Sequence, residues 1–225
     1  MDRGTRNFLT LTELLAYVVL VVIVGVGFAL AVINESYFQA YVREDSFFET
    51  ATAIILVICA GILLTRYVRE RGQHTWTFAA FSLGMSLLLI VGAGEEISWG
   101  QRIFNVQSNE FFLANNRQGE TNLHNMVING VNVNKALART SALFILVFYL
   151  ALPYIYSRGG QIHGWMNALS IPMPKIHHGV VLFILAIVID QIPSGKRGEL
   201  NEVMIALFIL LLFTFGQNIR HERRW

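Results

Sequence analysis

Six apolar runs follow one another along this chain and determine its predicted architecture. They extend over Leu11 to Ile33, Phe47 to Tyr67, Trp76 to Trp99, Ala142 to Tyr156, His177 to Ile192 and Val203 to Phe215. A bilayer core about 30 Å thick is crossed by roughly 20 helical residues, and interfacial aromatic or polar residues can lengthen the short fourth and fifth runs. The pattern predicts an all-α transmembrane bundle of about six spans, with five as the alternative, in a single domain over residues 1–225.

The first run also has features of a secretory signal peptide. Arg3 and Arg6 precede it, and Ala29-Leu30-Ala31 resembles a small-residue cleavage site. Since the numbered chain retains this segment, we expect it to be the first membrane-spanning helix.

The composition is typical of a chain that is solvated mainly by lipid. Hydrophobic residues make up 54% of the sequence and charged residues 14%, and the mean hydropathy is +0.51. Lys and Arg are scattered between the apolar runs rather than forming a stripe, which argues against a nucleic-acid partner. The expected partners are membrane lipids and, as an open alternative, other membrane subunits. The single cysteine, Cys59, lies in an apolar run and is expected to be buried.

The distribution of basic residues predicts the orientation. With six spans, the two termini and the second and fourth loops share one side, and this side carries the surplus of Lys and Arg. Most of the surplus comes from Arg66, Arg69, Arg71, Arg220, Arg223 and Arg224. Because cytoplasmic loops carry such an excess, both termini are expected in the cytoplasm and the loop of residues 100–139 outside it.

This 100–139 loop is long and contains no proline, so we expect it to have structure of its own. Asn122, Asn125, Asn129 and Asn132 recur at helical spacing, with apolar residues on the opposite side of the wheel. Such a stripe predicts an amphipathic helix that lies in the membrane interface between spans 3 and 4.

The first candidate site is the string EEISWGQR at residues 95–102. Glu95 and Glu96 are adjacent carboxylates at the end of an apolar run, and they repel each other. One of them would suit general acid or base catalysis, while Arg102 could hold the other ionised and bind substrate. The alternative is that the pair only ends the span at the interface.

The second candidate site is the string ETNLHN at residues 120–125. On a helix, Glu120 and His124 would project from one face, a spacing that permits shared metal or proton binding. We therefore expect His124 to be catalytic or a metal ligand, with Glu120 as the second metal candidate, and Asn122 and Asn125 to contact substrate. A structural interfacial histidine is the alternative.

Further polar residues are divided between the two predicted sides. Asp190, Glu199 and Glu202 lie on the outer side, where Asp190 is a further substrate-binding candidate, although helix capping explains each acid alone. His177 and His178 begin the fifth run on the opposite side. Interfacial anchoring or headgroup contact is expected there, with a separate metal site as the alternative.

Both strings resemble those of a poorly characterised group of bacterial polytopic membrane proteins that carry EEISWGQR followed by NLHN. The resemblance covers Glu95 to Arg102 and Asn122 to Asn125, implies that the two strings form one site in the bacterial inner membrane, and supplies no activity. A fainter similarity is to the CAAX-protease and bacteriocin-processing family of intramembrane peptidases, in which Glu95, Glu96 and His124 would correspond to the glutamate pair and a histidine. Arg102 comes later than the arginine of that pattern, and no F-x-x-x-H occurs.

Three functions remain open from the sequence. The first is a membrane-embedded hydrolase or transferase, in which Glu95 or Glu96 activates water and His124 shuttles a proton or binds a metal. The second is a non-catalytic subunit of a larger membrane complex, and the third is a transporter. Neither a cofactor nor a substrate is specified, because no C-x-x-C, phosphate-binding loop or G-x-S-x-G motif occurs.

Overall fold

The computed structural model describes residues 9–43, 47–70, 76–133, 140 and 142–219. Within these ranges the chain is mostly helical, as predicted. The helices are α1 (Leu11–Ile33), α2 (Glu35–Tyr41), α3 (Phe47–Glu70), α4 (Trp76–Glu96), α5 (Glu110–Asn115), α6 (Ala142–Ser157), α7 (Gln161–Ala168), α8 (Ile176–Asp190) and α9 (Gly198–Phe215), and the strands are β1 (Val127–Ile128) and β2 (Val131–Asn132).

Four helices, α1, α3, α4 and α9, are long and apolar enough to cross a membrane. Helices α6 and α7 meet the same test only together, and they are bent by 113° at their junction, so they could add a fifth span. Helix α8 is apolar but has only 15 residues. The described residues are therefore compatible with an integral membrane protein.

The core lies where α3 packs against α4 on one side and against α9 on the other. Leu56, Cys59, Leu89 and Phe208 are buried there, so the expected burial of Cys59 is confirmed. Valines of α1 such as Val21 and Val22 remain more than half exposed. An apolar surface of this kind suits contact with lipid chains rather than water.

Small residues admit close contacts at two places in the bundle. A Cβ on Gly92 would lie 3.4 Å from Leu56 Cδ1 in α3, whereas Gly84 has open space around it. A Cβ on Gly179 of α8 would lie 1.9 Å from the carbonyl oxygen of Tyr149 in α6, so the two backbones touch. Tyr149 belongs to a π-helical segment, Leu146–Ala151, and its hydroxyl donates to the Phe208 carbonyl at 3.1 Å.

Contacts between helix ends define two ends of the bundle. At the Glu13 end, the first turns of α1 and α8 meet the last turn of α9, where Lys175 lies 5.7 Å from the Phe215 ring. At the Glu96 end, the start of α3, the end of α4 and the start of α9 meet the chain that follows α4. Charged and polar side chains therefore collect at both ends of an apolar bundle.

The amphipathic helix predicted in the 100–139 loop does not form in residues 120–132. Residues 120–125 are not helical, Met126 forms an isolated β-bridge with Asn116, and β1 and β2 pair as a hairpin with Val127 opposite Asn132. Asn129 and Gly130 connect the strands with φ angles of 49° and 79°. Because Asn-Gly favours such a tight turn with two positive φ angles, local turn chemistry prevailed over the helical spacing of the asparagines.

Candidate functional site

Helix α4 ends in an unusual turn that positions the first string. Ser98 and Trp99 have φ angles of 47° and 56°, and Gly100 follows with 74°. A non-glycine residue in this left-handed region costs on the order of 1 kcal/mol and is found mainly where the surroundings hold it. The Trp99 ring packs on Gly94, where an added Cβ would lie 2.8 Å from Trp99 Cε3. The turn directs Ser98 and Arg102 toward the second string.

Glu95 joins the two strings directly. Its Oε2 accepts hydrogen bonds from the backbone N–H groups of Leu123 at 2.6 Å and His124 at 3.3 Å. Its Oε1 accepts from the Trp99 indole N–H at 3.0 Å. Both carboxylate oxygens are therefore engaged, and Glu95 fixes the position of the 120–125 segment relative to α4.

Glu120 makes a second connection. Its Oε2 accepts from the Ser98 hydroxyl at 2.5 Å, and its Oε1 is paired with the Arg102 guanidinium. The same guanidinium lies 3.7 Å from Glu49 Oε2 at the start of α3. Arg102 thus bridges carboxylates from two separate parts of the chain, and the absence of a helix at 120–124 leaves Glu120 and His124 with different partners.

Asn122 lies at the centre of this network and is 1% exposed. Its amide nitrogen donates to Ser98 Oγ at 2.9 Å and to Glu120 Oε2 at 3.2 Å. Its side-chain oxygen accepts from Asn116 Nδ2 at 2.8 Å. Buried polar groups are normally satisfied in this way, and contact of Asn122 with substrate stays a prediction.

His124 lies beside Glu95, with Nδ1 3.7 Å from Glu95 Oε2. Asn125 Nδ2 is 3.0 Å from His124 Nε2 and also 2.6 Å from Gln118 Oε1. Since an amide nitrogen can only donate, neutral His124 has its lone pair on Nε2 and its proton on Nδ1, facing Glu95. Burial lowers the pKa of His124, while the carboxylates of Glu95 and Glu120 act in the opposite direction.

A further group of carboxylates surrounds Glu96. Glu49, Glu95 and Glu199 lie close enough to interact with it electrostatically, and Glu202 interacts with Glu96 and Glu49. In the described part of the chain, neither Glu96 nor Glu202 forms a salt bridge. Sequence reasoning placed Glu199 and Glu202 on this side but did not identify Glu49, because a single acid near the start of the second apolar run carries little signal.

A groove with a volume of about 370 Å³ opens beside this network. Arg102, Gln101 and Ser108 line it together with Leu113 and Gly119. Its size lies at the lower end of the range for small-molecule sites, and its lining combines a cation with polar and apolar groups.

Asp190 lies apart from the contacts described above. Its carboxylate is 69% exposed and pairs with Arg197 at 3.2 Å, within the connection between α8 and α9. The contacts thus bring together Glu95, Arg102, Glu120, Asn122, His124 and Asn125, with Glu96 electrostatically coupled to Glu95.

Sequence reasoning missed a second polar cluster at the Glu13 end. Glu13 is completely buried, and it contacts Lys175 at 2.8 Å and His178 at 2.7 Å. His177 Nε2 lies 3.9 Å from the same carboxylate. A glutamate in the first turn of an apolar run, with a distant Lys-x-His-His sequence, was the available signal.

No family model, no curated protein and no solved structure matches this chain.

Proposed function

We propose that this chain is an integral membrane protein whose Glu96 end is a catalytic site that faces the outer leaflet and performs hydrolysis or group transfer. The observation that carries the proposal is that Glu95 contacts His124 and also interacts with Glu96, so it links an oriented imidazole to a carboxylate that has no salt-bridge partner among the described residues. General acid–base catalysis can use an imidazole and a carboxylate of this kind.

The proposed topology counts α1, α3, α4, α6, α8 and α9 as six spans. Helix α8 has 15 residues and needs interfacial residues to complete its crossing. The surplus of basic residues on the Glu13 side supports a cytoplasmic location for that end and for both termini. The Glu96 end and the 100–139 loop then face outward, in a bacterial inner membrane by the resemblance of the two strings.

The contacts support different roles for the two adjacent glutamates. Glu95 is saturated with hydrogen bonds and orients His124, whereas Glu96 remains available to accept a proton from water. The oxygen of that water attacks the electrophilic centre of the substrate, and the bond to the leaving group breaks. The proton is then returned through His124 to the leaving group, which restores Glu96.

Arg102 and the adjoining groove support a substrate with a polar or anionic head. Arg102 is only one-third exposed and already neutralises Glu120, so a substrate anion would share it rather than bind it alone. Asn125 covers His124 Nε2, and a substrate hydroxyl or water would replace this amide when it binds. The substrate class proposed here is therefore amphiphilic, with the reacting bond near the headgroup.

The test compares Glu96→Gln and His124→Ala with Glu110→Gln and His163→Ala in a host from which the native gene has been removed. Glu110 is exposed on α5, and His163 lies on α7, outside the network, so they are matched controls. Membrane abundance is equalised by immunoblot, and the lipid and envelope-peptide profiles are measured. We expect both site variants to leave a precursor unprocessed, while both controls restore the wild-type profile. Full restoration by the two site variants would refute the catalytic proposal.

A second candidate function is that of a subunit in a larger membrane complex. It is favoured by exposed apolar residues in the 100–139 loop, where Ile103 and Phe104 are each 74% exposed. Native mass spectrometry of the chain, gently extracted from its host, separates the two functions. Stoichiometric partner subunits would support the complex, whereas a lone chain or homo-oligomer would support the enzyme.

A further inference from the structure

The Glu13 end contains a buried group of ligand atoms that the proposed catalytic site does not use. Glu13, His177 and His178 each offer one ligand atom within 4.8 Å of the other two, the one such group of three found among the described residues. Glu13 is contributed by the first turn of α1, and both histidines by the first turn of α8. The helices thus supply a carboxylate and two imidazoles from opposite sides of one small volume.

The two oxygens of Glu13 have different partners. Oε2 accepts from the backbone N–H of Thr10 at 2.8 Å, as part of a capping box, and from Lys175 Nζ at 2.8 Å. Oε1 faces the two histidines. Helix capping and the ion pair therefore account for Oε2 and leave Oε1 directed at the imidazoles.

His177 provides the second, independent indication of a ligand. Its Nδ1 is engaged with the Tyr17 hydroxyl at 2.7 Å, which fixes the orientation of the ring. Its Nε2 is buried and has no hydrogen-bond partner among the residues that the structure describes. Metal-binding histidines characteristically have one nitrogen held by an outer hydrogen bond and the other presented to the metal.

The two distances from the Glu13 carboxylate to the imidazoles lie on either side of the ligand-to-ligand distance in a zinc site. Two ligand atoms about 2.0–2.1 Å from a tetrahedral zinc ion are roughly 3.3 Å apart. Here Glu13 Oε1 is 2.7 Å from His178 Nε2 and 3.9 Å from His177 Nε2. Small rotations of the two imidazole rings in opposite senses would make these two distances equal. The hydrogen bond from the backbone N–H of Lys175 to His178 Nδ1 is long, at 3.4 Å, and would break when the metal binds.

We propose that Glu13, His177 and His178 bind a divalent transition-metal ion, zinc in the first instance, at the end of the bundle opposite the catalytic site. Two imidazoles and one carboxylate are a known zinc ligand set that leaves a fourth position for water. Lys175 competes with the ion for the charge of Glu13, so metal binding moves its ammonium away from the carboxylate. The bound ion clamps the start of α1 to the start of α8.

The experiment uses the full chain, purified in detergent and stripped of metal with a chelator. Zinc is titrated against a chromophoric competitor, and cobalt is added separately to record the visible absorption of a tetrahedral site. We expect one zinc per chain. His177→Ala and His178→Ala should weaken binding at least about 100-fold, and Tyr17→Phe about 10-fold, as for an outer-sphere partner. Lys175→Met should tighten binding at least about 10-fold, since a like charge is removed.

His163→Ala is the matched control, because this histidine lies on α7 and outside the cluster, and it should bind zinc like the wild type. Monodisperse elution of each variant verifies that it is folded. The wild-type titration and the Tyr17→Phe titration test the site without removing a ligand, so they remain informative if a histidine variant fails to fold. Failure of the wild type to bind stoichiometric zinc, or wild-type affinity in both His177→Ala and His178→Ala, would overturn the proposal.

Discussion

At the Glu13 end, one completely buried carboxylate meets one lysine and two histidines, whereas at the Glu96 end two partly buried carboxylates, those of Glu49 and Glu120, share Arg102. Charge at the first end is balanced by partners from helix starts, which makes the cluster part of the packing. At the second end negative charge is in excess, and the chain that follows α4 supplies Arg102 as its partner. The Glu13 end therefore contains a charge pair that holds helices together, whereas the Glu96 end contains a group of carboxylates that Arg102 neutralises only in part.

The largest expected effect on stability comes from breaking the buried ion pair between Glu13 and Lys175. Lys175→Met leaves the Glu13 carboxylate without its cation, and removing one partner of a buried ion pair costs about 3–5 kcal/mol of unfolding free energy. The matched control is Arg197→Met, whose pair with Asp190 is exposed and is worth about 0–1 kcal/mol. Thermal unfolding in detergent without added metal measures both. Equal shifts would remove the distinction between the two ends.

A smaller effect is expected from a methyl group beneath Trp99. In Gly94→Ala the new Cβ meets the indole at 2.8 Å, and overpacking of this kind costs about 1–3 kcal/mol. Gly84→Ala, on the same helix with open space around it, should be neutral or slightly stabilising. Unfolding temperature and the rate of proteolysis within the 100–139 loop report the difference. A loop that is equally protected in both variants would show that Trp99 does not anchor it.

The smallest effect concerns the pH dependence of the loop. Burial lowers the pKa of His124 below its ordinary value of 6.5, so the unfolded segment binds a proton first as the pH falls. The folded loop therefore loses stability as the pH falls below about 6.5. Hydrogen exchange of loop amides between about pH 5 and 7 measures it. His124→Gln should abolish the dependence, while His163→Gln should retain it.

The helices were largely predictable, because long apolar runs have few alternatives in lipid. The ends of the helices were less predictable. Helix α4 stops at Glu96, because Ser98 and Trp99 adopt positive φ angles, and α9 begins at Gly198 rather than Val203. The six-span count and the orientation stay predictions. In α9, Glu199 lies in the first turn, where the helix dipole favours an acid, whereas Glu202 lies further into the helix.

The geometry of the candidate site could not be predicted from the spacing of its residues. The two strings meet through a turn and a hairpin instead of a helix, and the roles of their residues stay predictions. Asn129-Gly130 contained the hairpin signal, and the regular spacing of asparagines concealed it. Glu13 could not be assigned a role from sequence, because its partners Lys175 and His178 are more than 160 residues away and only packing brings them together.

The π-helical segment of α6 has a consequence for how this chain tolerates length changes. A π segment contains one residue more than an α-helix of the same rise, and its wide turn absorbs that residue, so the two flanking halves of α6 keep their angular register. Deleting one residue between Leu146 and Ala151 would restore regular hydrogen bonding and remove the wide turn that holds Tyr149. Tyr149 could then no longer reach Phe208 while its carbonyl faces Gly179. In α6, therefore, the extra residue serves the contacts of Tyr149 rather than the length of the helix.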